Sequence, residues 1–210
     1  MLTCGSLYLN MAPFFPVFVE GKFNADSPTD EIDSLMISLC ISAFMTAQLV
    51  CVFIHARTIS IMGRKRATLV GFGVMALTNI LIGLAAFIPV EHPRLFTGIV
   101  ITLRILQGYG DSLACTVILS IASMTFKGED NFADVMGWHQ SAYGAGMVIG
   151  PATGSLVFGV FGYEMTMVFY ALLAIFCFIL AAYMLPNSLD EYDPMSPRFH
   201  RRSNSELADE

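Results

Sequence analysis

Long apolar runs alternate with short polar segments along the chain as far as residue 185. A segment that crosses the hydrocarbon core of a bilayer needs about 20 mostly apolar residues. Runs of this kind predict six transmembrane spans, at residues 1–19, 32–55, 67–89, 95–126, 135–161 and 164–185. The fourth span is long enough that it must tilt or project beyond the bilayer. The pattern therefore predicts an all-α polytopic membrane protein.

The last 25 residues break this pattern. Residues 186–210 mix Ser, Asn, Pro and both charge signs with almost no apolar side chains. A segment of this composition buries too little apolar surface to offset the entropy of ordering it. We therefore predict a six-span domain over residues 1–185, followed by a disordered cytoplasmic tail or linker.

The composition points to the same class of protein. Hydrophobic residues make up 55% of the chain and charged residues 13%, whereas an average soluble domain carries roughly 25% charged residues. The net charge of −6 is a poor guide to partners, because nine of the 28 charged residues lie in the last 25 positions, and no basic surface for nucleic acid is implied. The five cysteines lie in apolar segments without metal-ligand spacing, so we interpret them as buried small hydrophobes. No metal and no cofactor is predicted.

The distribution of lysine and arginine predicts the orientation of the spans, because cytoplasmic loops carry an excess of both. Eight of these residues lie in the segments after spans two, four and six. The alternate loops hold only Lys22 and Arg94. Both termini are therefore predicted to be cytoplasmic. The identity of the membrane, vesicular or plasma, stays open.

Span four carries three polar side chains, Arg104, Gln107 and Asp111. A charge well inside a span costs about 2.5–3.5 kcal/mol on insertion scales, so it marks a polar interior or a pathway. Arg104 and Asp111 share a helix face about 10.5 Å apart, a gap that water or Gln107 can bridge. One interpretation is a stripe facing a substrate or proton path. The other is a structural network that locks span four to another span.

Span five contains three glycines at intervals of four, Gly146, Gly150 and Gly154, with Pro151 after the second. Steps of four keep the glycines on one slowly drifting helix face. A face without side chains lets another helix approach closely in lipid, and Pro151 favours a kink. The pattern predicts a packed, bent transmembrane helix.

Residues 56–66 are predicted to form a tight basic turn that includes Gly63, Arg64 and Lys65. The sequence contains no paired carboxylates suited to hydrolysis, no nucleotide-binding glycine loop and no Ser/His/Asp set. Enzyme chemistry is therefore not predicted.

Spans four and five resemble two signatures of the major facilitator superfamily, specifically its drug–proton antiporter type. The span-four signature, Arg-x-x-Gln-Gly-x-Gly, is matched by Arg104, Gln107, Gly108 and Gly110. The span-five signature is matched by Gly137, Gly146, Gly150, Pro151 and Gly154, with Ser155 in place of its final glycine. The loop signature is matched only in its second half, by Gly63, Arg64 and Lys65, while Ala56 and Ser60 replace its first glycine and its acidic residue.

The resemblance implies one six-span half of a twelve-span fold, built as a 3+3 inverted repeat, with substrate held between two halves. It gives Arg104 a part in proton coupling, and it gives the span-five glycines and Pro151 a close, bending contact with the other half. It also gives the loop carboxylate a part in a cytoplasmic gate, and this chain has Ser60 at that position.

Two short segments resemble the vesicular amine and polyamine transporter branch of that superfamily, namely residues 12–16 and 161–164. Monoamine members of that branch carry an acidic residue in span one, and residues 1–19 contain none. The implied activity is proton-coupled antiport of a small organic cation such as an amine or polyamine. The implied partners are lipid, protons, the substrate and a second six-span half on the same or another chain.

A different class of function also fits the sequence. A half-length or truncated chain that keeps its helix-packing surfaces but moves nothing would act as a membrane interaction or regulatory protein. The altered loop and the single half favour this alternative, whereas the retention of a costly Arg104 favours transport.

Overall fold

The computed structural model describes residues 1–24, 32–126, 128 and 130–190, and every regular element in these ranges is helical. The helices are α1 (Leu2–Leu9), α2 (Phe15–Val19), α3 (Ser34–Met62), α4 (Arg64–Ala85), α5 (Pro93–Thr125) and α6 (Phe132–Met184). A π-helix, Glu20–Asn24, extends α2, and a 3-10 helix, Asn187–Asp190, follows α6. Helices α3, α4, α5 and α6 are long and apolar enough to cross a membrane. The predicted all-helical membrane fold is confirmed at this level.

The predicted spans two, three and four correspond to α3, α4 and α5, but spans five and six lie within the 53-residue α6. Gly162 divides this element, because its φ of 82° and ψ of −177° are not helical. Such a φ is disfavoured for residues with a Cβ and accessible to glycine. Residues 132–161 and 163–184 therefore form two arms, here called the first and second arm of α6.

The first predicted span is divided rather than continuous. Helix α1 ends at Leu9 and α2 begins at Phe15, with a turn over residues 10–14 between them. Pro13 and Pro16 each remove a backbone donor, so neither Leu9 nor Ala12 receives the helical hydrogen bond that its carbonyl oxygen would otherwise accept. Two prolines three residues apart thus account for the interruption.

The predicted turn at residues 56–66 is much shorter than expected. Helix α3 continues to Met62 and α4 begins at Arg64, which leaves Gly63 alone between them with a φ of 85°. Residues 56–62 contain no proline or glycine, so nothing in them ends the helix. The prediction of an eleven-residue turn is wrong because a single left-handed glycine reverses the chain.

Helix α5 lies at the centre of the bundle, between α3 and α4. Helix α4 also packs against α6, where Gly83 meets Met167 on the second arm, and α1 packs against the first arm. Large apolar side chains point outward from α3 and α6, including Phe53 at 82% exposure and Trp138 at 77%. Exposed apolar faces of this extent are the faces that a membrane helix presents to lipid or to another helix.

Lys22 joins the first segment to the end of α4. Its Nζ donates hydrogen bonds to the carbonyl oxygens of Ala86 and Ile88, the latter at 3.1 Å, and it lies 5.2 Å from the ring centroid of Phe23. Burial lowers the pKa of Lys22 from its usual range, and nearby Glu164 opposes this effect. A cation at this position is favourable because the last carbonyls of a helix carry partial negative charge.

Candidate functional site

Arg104 is held in the core of the bundle by α5 and α3. Its side chain is 1% exposed, and its Nη1 donates to Gln107 Oε1 at 2.8 Å. Its guanidinium carbon lies 4.7 Å from the ring centroid of Phe44 on α3, within cation–π range. Arg104 Nε and Gln107 Nε2 have no hydrogen-bond partner among the described residues. Arg104 therefore retains an N–H group that can donate a hydrogen bond to water or to a substrate.

The glycines of the span-four signature allow the helices around Arg104 to come close. A Cβ on Gly108 would lie 2.4 Å from the carbonyl oxygen of Phe44 on α3. On the opposite side, Gly110 and Gly71 face one another, and a Cβ on Gly110 would lie 2.9 Å from the Gly71 carbonyl oxygen. These two close approaches pack α3 and α4 directly against the segment that carries the polar side chains.

Asp111 belongs to a second polar group on the same helix. Gln48 on α3 donates from its Nε2 to Asp111 Oδ2, and the carboxylate is fully buried. Asp111 Oδ1 has no hydrogen-bond partner within the described ranges. Gln107 accepts a hydrogen bond from Arg104 and, within the described part of the chain, makes none with Asp111, so it does not bridge the two charges. The three predicted pathway residues are thus divided into an arginine group and an aspartate group.

A polar recess adjoins the aspartate group. It has a cavity volume of about 240 Å³, and its lining includes Gln48 on α3, Ser112 and Thr116 on α5, and His139 on the first arm of α6. His139 Nε2 is buried with no hydrogen-bond partner among the residues described. Uncommitted polar atoms around a cavity are suited to hold water or a small polar ligand.

The glycine face of α6 contacts α1 of the same chain. A Cβ would lie 2.2 Å from the Leu2 carbonyl oxygen if added to Gly146, and 2.3 Å from the Ser6 carbonyl oxygen if added to Gly150. Gly154 approaches the next turn, at 3.0 Å from the Asn10 carbonyl oxygen. Gly137 has open space around it. Three of the four signature glycines therefore form a contact between helices of this chain.

Next to Pro151, a hydrogen bond joins the two arms of α6. The hydroxyl group of Tyr170, on the second arm, donates to the carbonyl oxygen of Gly150 at 2.6 Å. The Ser155 hydroxyl group donates to the Pro151 carbonyl oxygen at 2.9 Å. Tyr170 was not among the predicted residues, because nothing in its own span marks a partner 20 residues upstream.

The basic turn receives a carboxylate from beyond α6. Asp190 Oδ1 accepts from the backbone N–H of Lys65 at 2.8 Å, and Asp190 Oδ2 lies 3.6 Å from Arg66 Nε. The Lys65 ammonium group donates to Asn187 Oδ1 at 2.9 Å, and Arg64 Nε donates to Ser120 Oγ at 3.4 Å. Asp190 therefore caps the N-terminus of α4.

We expect Asp190→Ala to lower the free energy of unfolding by about 1 kcal/mol, because the first N–H groups of α4 lose an acceptor. Unfolding in mixed micelles, followed by circular dichroism, measures this change. Asp130→Ala is the control and should leave the stability unchanged, because it removes an exposed carboxylate that makes no hydrogen bond or ion pair with the described residues. Equal stability of the two variants would show that the cap contributes nothing.

Comparison with known proteins adds a family match and three curated relatives. The family model described as the Major Facilitator Superfamily matches residues 1–205. The MFS-type transporter SLC18B1 of Mus musculus is 28% identical over 198 residues, which cover 94% of this chain and 40% of that protein. The proteins of the same name from Rattus norvegicus and Homo sapiens are 28% and 25% identical, and 38% of each is covered. The chain thus spans about two fifths of the length of these relatives.

Proposed function

Because the chain belongs to the Major Facilitator Superfamily, a family of membrane carriers rather than enzymes, we propose that it forms one half of a proton-coupled antiporter for a small organic cation. It is an integral membrane protein of a transporter family. The proposal extends this assignment to a mechanism, a substrate class and an assembly.

The observation that carries the proposal is the buried, unneutralised charge of Arg104. A structural polar network in a membrane protein would neutralise a buried charge, because an isolated one is costly. Within the described residues the one ion pair joins Arg66 to Asp190, so no carboxylate lies within ion-pair distance of Arg104. A charge kept at this cost, with a free Nε, supports a role in binding or proton coupling.

The aspartate group supports a cationic substrate. Asp111 is a buried carboxylate with one free oxygen, and the neighbouring recess presents hydroxyl, amide and imidazole groups. An amine or polyamine offers the positive charge and the N–H donors that such a set accepts. Gln48 orients the carboxylate by its hydrogen bond and is therefore the neighbour most directly tied to this site.

Six spans arranged as a 3+3 inverted repeat complete the proposed architecture. The break at Gly162 supports two spans within α6, and α1 with α2 supplies the first span in two pieces. Both termini are proposed to be cytoplasmic because of the basic residues after spans two, four and six. A second six-span half, from the same or another chain, would form the opposite wall of the substrate cavity.

The alternative of a non-transporting half-carrier is favoured by one observation. The glycine face of α6 is already covered by α1, so this contact needs no second half. In that case the chain would act as a membrane interaction or regulatory protein with intact internal packing.

Reconstitution separates the two functions. The purified chain is inserted into liposomes, a pH gradient is imposed, and uptake of radiolabelled spermidine is measured together with the native mass in lipid discs. An antiporter gives a dimer or larger complex and uptake that disappears when nigericin collapses the gradient. Protein-free liposomes are the control. A strictly monomeric chain without uptake would contradict independent transport and support the half-carrier.

A further inference from the structure

Two thiols and a carboxylate meet in the core beside the polar recess. Cys4 on α1 and Cys115 and Asp111 on α5 each place one ligand atom within 4.8 Å of the other two. Cys4 and Asp111 are fully buried, and Cys115 is partly buried. We propose that these three residues bind a thiophilic divalent cation, for which Zn²⁺ is the reference ion.

The separations suit a zinc site. Zinc bonds to sulfur at about 2.3 Å and to carboxylate oxygen at about 2.0–2.2 Å, so two ligands of a tetrahedral ion lie about 3.6–3.8 Å apart. The three atoms all lie within 4.8 Å of one another, and rotation of the thiols about their Cα–Cβ bonds would draw them closer. Two sulfur ligands with one oxygen select a soft or borderline metal over magnesium or calcium.

The hydrogen bonding of the Asp111 carboxylate gives a second reason to expect a bound cation. Its Oδ2 is held by Gln48, while its fully buried Oδ1 has no hydrogen-bond partner among the described residues. Burying a carboxylate oxygen without a partner is costly, and a coordinated cation would remove that cost. Gln48 would fix the orientation of the ligand, as hydrogen-bonding neighbours do in known metal sites.

The recess provides access and a fourth ligand. Cys115 and Gln48 both line the 240 Å³ cavity, so an ion that enters the cavity would meet the Cys115 thiol. A water molecule from the cavity would complete a tetrahedral set. On binding, each thiol releases one proton to solvent and keeps its electron pair for the metal. Two thiolates and one carboxylate then face a charge of +2, and no redox step is involved.

The test measures retention of zinc by the purified chain in detergent. The protein is kept reduced with a phosphine, equilibrated with zinc chloride, desalted and analysed for metal content. We expect about one zinc per chain, and at least tenfold weaker binding for Cys4→Ser, Cys115→Ser and Asp111→Asn. Cys51→Ser is the control, because Cys51 lies on α3 outside the three-residue group. Circular dichroism and size exclusion establish that each variant is folded.

A cadmium titration of the unmodified chain tests the same site without any substitution, since thiolate-to-metal absorption in the ultraviolet reports sulfur ligation. Absorption that saturates at one equivalent supports the proposal. Failure to retain zinc, or an equal loss in Cys51→Ser, would overturn it. A disulfide between Cys4 and Cys115 in the reduced preparation, seen as the loss of two hydrogens in the intact mass, would also overturn it. A bound zinc ion would compete with the proposed substrate for the free oxygen of Asp111. Zinc retention does not depend on transport, so this proposal and the proposed function can fail separately.

Discussion

Gly150→Ala is expected to lower the free energy of unfolding by about 1–3 kcal/mol, the usual cost of forcing extra volume into a close-packed contact. The added methyl carbon would lie 2.3 Å from the Ser6 carbonyl oxygen and 2.7 Å from Ser6 Cα. Both are backbone atoms, so no side-chain rotation relieves the overlap, and α1 must move away from α6. Gly150→Leu should have a larger effect and prevent α1 from docking.

Gly144→Ala is the matched control on the same arm of α6. An added Cβ at Gly144 meets nothing within 4 Å, and alanine is favoured over glycine in a helix by up to about 1 kcal/mol. This variant should therefore be as stable as the unmodified chain or slightly more stable. Unfolding in mixed micelles gives the stabilities, and native mass gives the oligomeric state. A Gly150→Ala chain of unchanged stability that lost self-association would instead place the glycine face at a contact between halves.

Arg104→Ala is expected to reduce proton-driven uptake of an organic cation to the level of protein-free liposomes. The substitution removes the buried positive charge, the donor to Gln107 and the cation–π contact with Phe44. Arg104→Lys keeps a positive charge but lacks the planar fork that reaches Gln107 and stacks on the ring. If charge alone couples protons to transport, lysine should restore much of the uptake. If geometry matters, lysine should be nearly as inactive as alanine.

Ile105→Ala is the control for this pair, because Ile105 is the next residue on α5 and its side chain is exposed. Losing the hydrogen bond between Arg104 and Gln107 costs about 1.5–3 kcal/mol at a charged group, so the unfolding midpoint of each variant is measured in parallel. A folded Arg104→Ala chain that takes up cation at the unmodified rate would exclude a coupling role. Uptake lost equally in Ile105→Ala would show that the assay reports damage to α5 in general.

The sequence predicts where the helices lie along the chain better than it predicts which helices pack together. Apolar runs of about 20 residues mark α3, α4 and α5 because a lipid-embedded backbone must satisfy its own hydrogen bonds. The same rule does not predict that Pro13 and Pro16 divide the first span. It also does not predict that Gly162 alone separates the helices of spans five and six, where a turn of two residues was expected.

The candidate site, too, can be predicted from the sequence only in part. Periodicity places Arg104, Gln107 and Asp111 on one face of α5, but it does not say which helix faces them. Gln48 was the available signal, since it is a strongly polar side chain in the middle of an apolar helix. Cys4 lies 111 positions before Cys115 in the sequence, so no local spacing reveals that the two thiols meet. The acceptor that caps α4 is similarly remote, 125 positions after Lys65.

The cap on α4 ties the segment after α6 to a different helix. Because Asp190 Oδ1 accepts a hydrogen bond from the backbone N–H of Lys65, a displacement of Asp190 would act first on the start of α4. Helix α4 meets α5 through the facing pair Gly71 and Gly110, so the same displacement would reach the helix that carries Arg104. Movement just after α6 would thus be transmitted to the candidate site.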